Sequence, residues 1–125
     1  MGGKLVHFEV PANDTARAVS FYRGLFGWEF EAYEGGPIEY HMTRVTETTG
    51  GAIHPAAEGG GIPGIFVYFD VEDIHDGARQ VRDLGGTAEE PGAVPGMGWY
   101  AMCADTEGNR FGLWQTDPSA EAPSP

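Results

Sequence analysis

The chain has 125 residues, 41% of them hydrophobic and 21% charged, a balance typical of a single globular domain with its own core. Nineteen acidic against seven basic residues give a formal net charge of −12, which disfavours nucleic acid and anionic membrane surfaces as partners. The only cysteine is Cys103, so an internal disulfide is excluded. With no signal-peptide pattern and no stretch as long as a membrane span, we expect a cytoplasmic protein.

The first predicted element is a strand over residues 4–10, where apolar residues alternate with polar ones. Residues two apart in a strand point to the same face. His7 and Glu9 should therefore share one face, with Phe8 and Val10 on the other. An imidazole beside a carboxylate can act as a pair of metal ligands or as an acid–base pair.

The rest of the first half reads as a helix followed by three strands. Asp14 is a candidate N-cap, the apolar spacing through "ARAVSFYRGLF" predicts an amphipathic helix, and Gly27 can end it. Strands are predicted over 28–34, 38–45 and 50–54. The Pro- and Gly-rich segment 55–64 is the best internal boundary.

The second half repeats this order of elements. We predict a strand over 65–71, a helix that begins after Asp73 and ends at Gly85-Gly86, a short strand over 87–90, a loop over 91–98, and strands over 99–105 and 110–115. Asp14 and Asp73, Leu25 and Leu84, and His7 and Phe66 are each 59 positions apart. One β-α-β-β-β module is therefore used twice. Residues 116–125 are rich in Pro, Ser and Ala and predict a flexible tail.

Two stretches carry a family resemblance: "VHFEVPANDTARAVSFYRGLFGWEF" near the start and "DTEGNRFGLWQ" near the end. With the duplicated module, they resemble the vicinal oxygen chelate superfamily, the glyoxalase/bleomycin-resistance/extradiol-dioxygenase group, over residues 4–115. The resemblance implies an α+β fold in which modules 4–54 and 65–115 form a curved mixed sheet or half-barrel cup with the helices outside. It also implies a homodimer.

Metal-dependent members of that group hold their ion with four ligands on the cup face, one each from the first, fourth, fifth and eighth strands. His7 matches the first position, but Phe66 and Gly112 stand where two other ligands would be. Near the fourth-strand position, only His54 could ligate. We therefore expect no cofactor. A divalent metal held by His7, Glu9 and His54 is the alternative.

Strand alternation predicts what lines the cup instead. Glu9 is a candidate acid–base group because aromatic neighbours would desolvate its carboxylate, and His7 is its partner. Gly112 should leave room in the cup. The predicted ligand-binding residues are His7, Glu9, Phe66, Tyr68, Arg110 and Trp114. Aromatic walls with a few polar groups are typical of a site for a small organic molecule.

These observations favour a metal-independent protein that binds a small aromatic or amphipathic molecule. A metal-dependent lyase, isomerase or dioxygenase that uses His7, Glu9 and His54 is the second hypothesis. A dimeric interaction module is the third. The residues leave open whether the protein is an enzyme.

Overall fold

The computed structural model describes residues 2–56 and 64–121, and within them it contains two α-helices and nine β-strands. The chain forms two compact units. The first unit comprises residues 7–66, and the second comprises residues 1–6 and 67–125. Most of the predicted boundary segment 55–64 lies outside the described residues.

The first unit combines a mixed sheet with one helix. Its strands are β1 (Leu5–Ala12), β2 (Phe30–Ala32), β3 (His41–Arg44) and β4 (Gly50–Pro55), and its helix is α1 (Thr15–Phe26). Strand β1 pairs in parallel with β4, whereas β3 pairs antiparallel with both β4 and β2. The order β2-β3-β4-β1 therefore places the beginning of the module beside its last strand.

Helix α1 has the ends that the sequence predicts. The Asp14 side chain accepts a hydrogen bond from the Arg17 amide, and Gly27 closes the helix at φ 74°, a conformation that glycine adopts at little cost. An aromatic cluster joins the helix to the sheet: Phe8, Tyr22, Phe26 and Trp28 contact one another with ring centroids 4.8–6.3 Å apart. The apolar stripe of α1 was nevertheless expected to be buried, and no residue of this helix is.

The second unit repeats the plan with an additional strand. Its elements are β5 (Phe66–Asp70), α2 (Ile74–Asp83), β6 (Thr87–Ala88), β7 (Gly92–Val94), β8 (Gly98–Ala104) and β9 (Arg110–Thr116). Strand β5 pairs in parallel with β9, β8 pairs antiparallel with β9, and β6 and β7 both pair with β8. The segment 91–98, predicted as a loop, contains β7 because Gly92–Val94 can pair with the first residues of β8.

The core of the second unit lies between α2 and the sheet. Ile74, Ala78, Ala101, Cys103 and Leu113 form a buried cluster, as the helical and strand periodicities predict. Asp73 caps the first turn of α2, and the Gln115 side chain accepts a hydrogen bond from the Ile74 amide at 2.8 Å. Burial raises the pKa of the Cys103 thiol, so this cysteine stays protonated and packs as an apolar side chain.

The first residues after β9 are held against the turn that joins β7 to β8. The Asp117 amide donates to the Met97 carbonyl, the Gly96 amide donates to the Ala120 carbonyl, and Trp99 Nε1 donates to the Asp117 carboxylate at 3.1 Å. Ala120 is buried. The segment predicted as a flexible tail therefore begins with an anchored stretch, because its amides and carboxylate find partners on a neighbouring turn. Residues 122–125 lie outside the described part of the chain.

Candidate functional site

The register of the first unit brings its polar side chains together on one side of the sheet. His7 lies opposite Gly50, which lies opposite Arg44, and Glu9 lies opposite Ala52, which lies opposite Met42. Residues that are opposite each other in paired strands share a face. We call this side the polar face; it carries Arg44, His7, Glu9, Met42, Tyr40 and His54. The central strand of this face, β4, contributes only the small residues Gly50 and Ala52 between His7 and Glu9 on one side and Arg44 and Met42 on the other.

Tyr40 joins the two residues that the sequence singles out on β1. Its hydroxyl donates a hydrogen bond to Glu9 Oε2 at 2.7 Å and lies 2.6 Å from His7 Nε2. Because the Tyr40 proton is given to the carboxylate, His7 Nε2 carries a proton and donates to the hydroxyl oxygen. The result is a continuous chain of donors from His7 through Tyr40 to Glu9, along which a proton can move.

The charge of His7 is set by its surroundings. Burial lowers the pKa of His7 below its ordinary value, against the opposing effect of the Glu9 carboxylate, and the nearby Arg44 charge lowers it further. The imidazole is therefore neutral at neutral pH. Glu9 supplies the negative charge of the cluster, and Tyr40 and His7 supply neutral donors.

Two further rings extend the cluster along β4 and β2. His54 is only 5% exposed, and its ring is nearly parallel to that of Tyr40, at 9° and 6.4 Å between centroids. Tyr33 meets Tyr40 edge to face at 6.5 Å. His54 Nδ1 donates to the Pro55 carbonyl oxygen at 2.9 Å, which fixes the orientation of its ring. The predicted site thus gains a wall of aromatic and imidazole rings.

The donors present do not fit the four-ligand metal site that the resemblance implies. Within residues 2–56 and 64–121, no group of three or more His, Cys, Asp and Glu side chains is arranged to hold an ion. His7 Nε2 and one Glu9 oxygen are both engaged with the Tyr40 hydroxyl, and Phe66 has no ligating atom. A metal needs about three converging, deprotonated donors. We therefore assign no metal-dependent step to these residues.

The other predicted ligand-binding residues fall in different places. Phe66 is buried and is the first residue of β5, where the chain passes from the first unit into the second. Tyr68, Arg110 and Trp114 belong to the second unit, where Arg110 is exposed and Trp114 Nε1 donates to Thr116 Oγ1 at 3.0 Å. Their role as ligand-binding residues stays a prediction.

The expectation that Gly112 leaves open space is wrong. A Cβ atom at Gly112 would lie 2.9 Å from Tyr68 Cγ and still closer to two other ring atoms. The Tyr68 ring therefore covers this glycine, its direct partner on the neighbouring strand. The space that the missing side chain leaves is filled by packing rather than kept for a ligand.

The first unit also has a groove on the opposite side of its sheet. This groove, of about 410 Å³, lies between the end of β1 and the start of α1, with Arg17, Phe21 and Tyr22 among its lining residues. Asp14 also lines it, and its carboxylate already satisfies a free amide at the helix start. None of the residues named as the polar face lines this groove.

Sequence reasoning missed three residues of the polar face: Tyr40, Met42 and Arg44. Tyr40 is 31 positions from Glu9, so no local spacing links the two residues. The alternation in "IEYHMTR" does place Tyr40, Met42 and Arg44 on one face. It does not say which face lies beside His7, because that depends on the register of β3 on β4.

The fold and the polar face define a duplicated α+β module with a histidine on its first strand. A family model described as "Glyoxalase/Bleomycin resistance protein/Dioxygenase superfamily" matches residues 4–113. The chain therefore belongs to this superfamily, and the resemblance seen in the sequence is confirmed. No helix in the described residues is both long enough and apolar enough to span a membrane.

Similar proteins agree with this assignment. A "Glyoxylase-like domain-containing protein" of Didymella fabae is 31% identical over 119 residues, covering 89% of this chain and 92% of that protein. Among solved structures, a methylmalonyl-CoA epimerase in complex with methylmalonyl-CoA and NH4+ matches with a TM-score of 0.72 at 18% identity, covering 98% of this chain and 100% of that one. A hypothetical protein from Bacillus halodurans C-125 matches with a TM-score of 0.73 at 17% identity, covering 95% and 98%. At these identities the structures establish the fold only.

Proposed function

We propose that this protein binds a small organic molecule, aromatic or amphipathic, on the polar face of its first unit and does so without a resident metal ion. The observation that carries the proposal is the position of the Tyr40 hydroxyl, between His7 Nε2 and the Glu9 carboxylate. A hydroxyl in this position occupies the donor atoms that a metal would need. It also offers a ligand an ordered set of hydrogen-bonding groups beside aromatic rings.

The same chain of donors supports acid–base chemistry at Glu9. A carboxylate can take a proton from a bound molecule, and the Tyr40 hydroxyl is placed to stabilise the charged form. His7, as the neutral donor to Tyr40, is the positioning residue of this arrangement. Binding is the proposed function, and a reaction requires in addition a ligand with an acidic proton near Glu9.

Metal analysis and ligand binding together test the proposal. The purified protein should contain no stoichiometric metal, and compounds from a panel of small aromatics should raise its melting temperature. Tyr40→Phe keeps the ring but removes the hydroxyl, and should weaken binding about tenfold, as expected for the loss of hydrogen bonds to a charged group. Tyr100→Phe, in the second unit, is the matched control and should bind normally.

Two results would contradict this proposal. Stoichiometric zinc, iron, manganese or nickel that is lost in His7→Ala would favour the lyase, isomerase or dioxygenase hypothesis with His7, Glu9 and His54 as ligands. Equal affinities of the wild type and Tyr40→Phe for every compound that binds would remove the polar face from the site.

We also propose that the protein is a homodimer that pairs through α1. Phe21, Leu25 and Phe26 on this helix are 56–61% exposed, and a cluster of large exposed apolar side chains is typical of a protein–protein contact. Light scattering after size-exclusion chromatography should give twice the chain mass. The double variant Phe21→Gln/Leu25→Gln should give the monomer, whereas Leu84→Gln, at an isolated exposed position, should not. A monomeric wild type would contradict the dimer.

A further inference from the structure

Arg44 is the cation of the polar face, and the register fixes where it lies. It is opposite Gly50, which is opposite His7. A Cβ atom at Gly50 would be 3.9 Å from the Arg44 Nη1 atom, so the guanidinium lies over this glycine, on the way to β1. The Arg44 guanidinium therefore lies beside Gly50, in the cross-strand row that also contains His7.

Within residues 2–56 and 64–121, the Arg44 guanidinium forms no ion pair. In the described part of the chain, no carboxylate oxygen comes within ion-pair distance of it. Among the described residues, Arg79 and Arg82 have acidic partners, whereas Arg17, Arg23 and Arg110 lack one as Arg44 does. What distinguishes Arg44 is its place on the polar face. The chain has nineteen acidic residues, and Arg44 still lacks a carboxylate partner in the described part of the chain. Arg44 also lies next to polar and aromatic side chains that could bind a ligand, so its guanidinium is available to bind an anion. A planar guanidinium binds a carboxylate through two parallel hydrogen bonds.

Arg44 and Glu9 mark the two ends of a polar strip. Glu9 is two residues beyond His7 on β1, so the two cross-strand rows are separated by about 6.6 Å along the strand. One end carries a positive charge and the other a negative charge, with the neutral His7 imidazole and the Tyr40 hydroxyl between them. A carboxylate group accepts several hydrogen bonds, so Glu9 can bind a donor in addition to Tyr40.

We propose that Arg44 determines the specificity of the polar face by binding the carboxylate of a small aromatic acid whose hydrogen-bond donor reaches Glu9. This inference rests on the proposed function, because it names the class of ligand for that same site. A para-substituted hydroxy- or aminobenzoate carries a carboxylate at one end of a rigid ring and a hydrogen-bond donor at the other, which are the two groups that Arg44 and Glu9 would bind. A singly charged carboxylate also suits the site better than a doubly charged phosphate, because the chain is acidic overall.

Three matched probes test this assignment with the full chain. These are 4-hydroxybenzoate, its neutral amide 4-hydroxybenzamide, and benzoate, which lacks the donor. Calorimetry with the wild type should give an affinity for 4-hydroxybenzoate about tenfold or more above that for either of the other two, since each lacks one charge-assisted hydrogen bond.

The variants assign the preference to a single residue. Arg44→Gln should abolish the preference for 4-hydroxybenzoate over its amide. Arg44→Lys should keep part of the preference, because lysine keeps the positive charge but cannot form the two parallel hydrogen bonds of a guanidinium. Arg17→Gln removes an exposed arginine from α1 of the same unit and should change neither affinity.

The outcomes separate this inference from the proposed function. Equal binding of acid and amide to the wild type overturns the role of Arg44, and so does an Arg44→Gln variant that still prefers the acid. If Tyr40→Phe nevertheless weakens the amide, the proposed function survives and only the class of ligand is wrong. Failure of all three probes to bind at millimolar concentration overturns the inference, and the proposed function is then decided by the wider compound panel.

Discussion

A single added methyl group on β4 tests the register that places His7, Glu9, Tyr40 and Arg44 on one face. Gly51 lies opposite Phe8, on the side of the sheet that faces α1. A Cβ atom at Gly51 would be 2.6 Å from Phe8 Cε1 and closer still to two other ring atoms. Ordinary carbon contacts are about 3.5–4.0 Å, so in Gly51→Ala the ring must retreat by roughly 1 Å.

The Phe8 ring has little freedom to make this movement. It contacts Trp28 at 5.6 Å between centroids, and Trp28 in turn contacts Tyr22 and Phe26. Overpacking of this kind costs about 1–3 kcal/mol. Replacing glycine by alanine restrains the unfolded chain and returns about 0.4–1 kcal/mol. We expect a net loss of about 1–2 kcal/mol in the free energy of unfolding of Gly51→Ala.

Urea denaturation followed by tryptophan fluorescence measures this loss as a lower midpoint with an unchanged slope. Gly24→Ala is the control: Gly24 is in α1, a Cβ atom there meets nothing within 4 Å, and alanine should stabilise the helix by about 0.5–1 kcal/mol. Adding Phe8→Leu should recover part of the loss in Gly51→Ala, and a double-mutant cycle gives the coupling. An unchanged midpoint in Gly51→Ala would refute the register, since a shift of one residue moves Phe8 to the polar face.

Two further predictions concern pH and the second unit. Because the pKa of His7 is lowered in the folded protein, the unfolded chain takes up a proton first on acidification. The stability that the protein gains from keeping His7 neutral is therefore fully present above the ordinary pKa of histidine, and below it this stability falls by up to about 1.4 kcal/mol per pH unit. The urea midpoint of His7→Gln should therefore fall less than that of the wild type between pH 7 and pH 5. An equal fall in both proteins would contradict this. Gly112→Ala should lower the urea midpoint much as Gly51→Ala does, because Tyr68 covers Gly112, and a variant as stable as the wild type would mean that the ring lies elsewhere.

Local periodicity was sufficient for one part of the site and insufficient for another. The pairing of β1 with β4 confirms that His7 and Glu9 share a face, because alternation along a strand needs no knowledge of its neighbours. Tyr40 and His54 reach the same face from other strands. Their positions depend on registers that are set by long-range pairing, and alternation within a strand carries no information about those registers.

The caps of both helices were predictable, whereas their buried faces were only partly so. Asp14 and Asp73 accept hydrogen bonds from amides within the next turn, which is a local interaction. Ile74 and Ala78 are buried as their spacing predicts, but Leu25 and Leu84 are exposed. A helical stripe identifies side chains that can be buried, and the area of sheet beneath the helix decides which of them are.

The two units show how one backbone frame carries different chemistry. In each unit, one row of residues runs across three paired strands. The first strand of the unit pairs in parallel with its last strand, which pairs antiparallel with the strand before it. The rows are Glu9, Ala52 and Met42 in the first unit and Tyr68, Gly112 and Met102 in the second.

The methionine is the same in both rows, and the central residue is small in both. The difference lies at the first position. In the first unit the Glu9 carboxylate accepts a hydrogen bond from the Tyr40 hydroxyl. In the second unit the Tyr68 ring itself covers Gly112. The first position of the row therefore carries a hydrogen-bonded carboxylate in one repeat and a packed aromatic ring in the other. The two repeats thus share a backbone register but carry different side chains at corresponding positions.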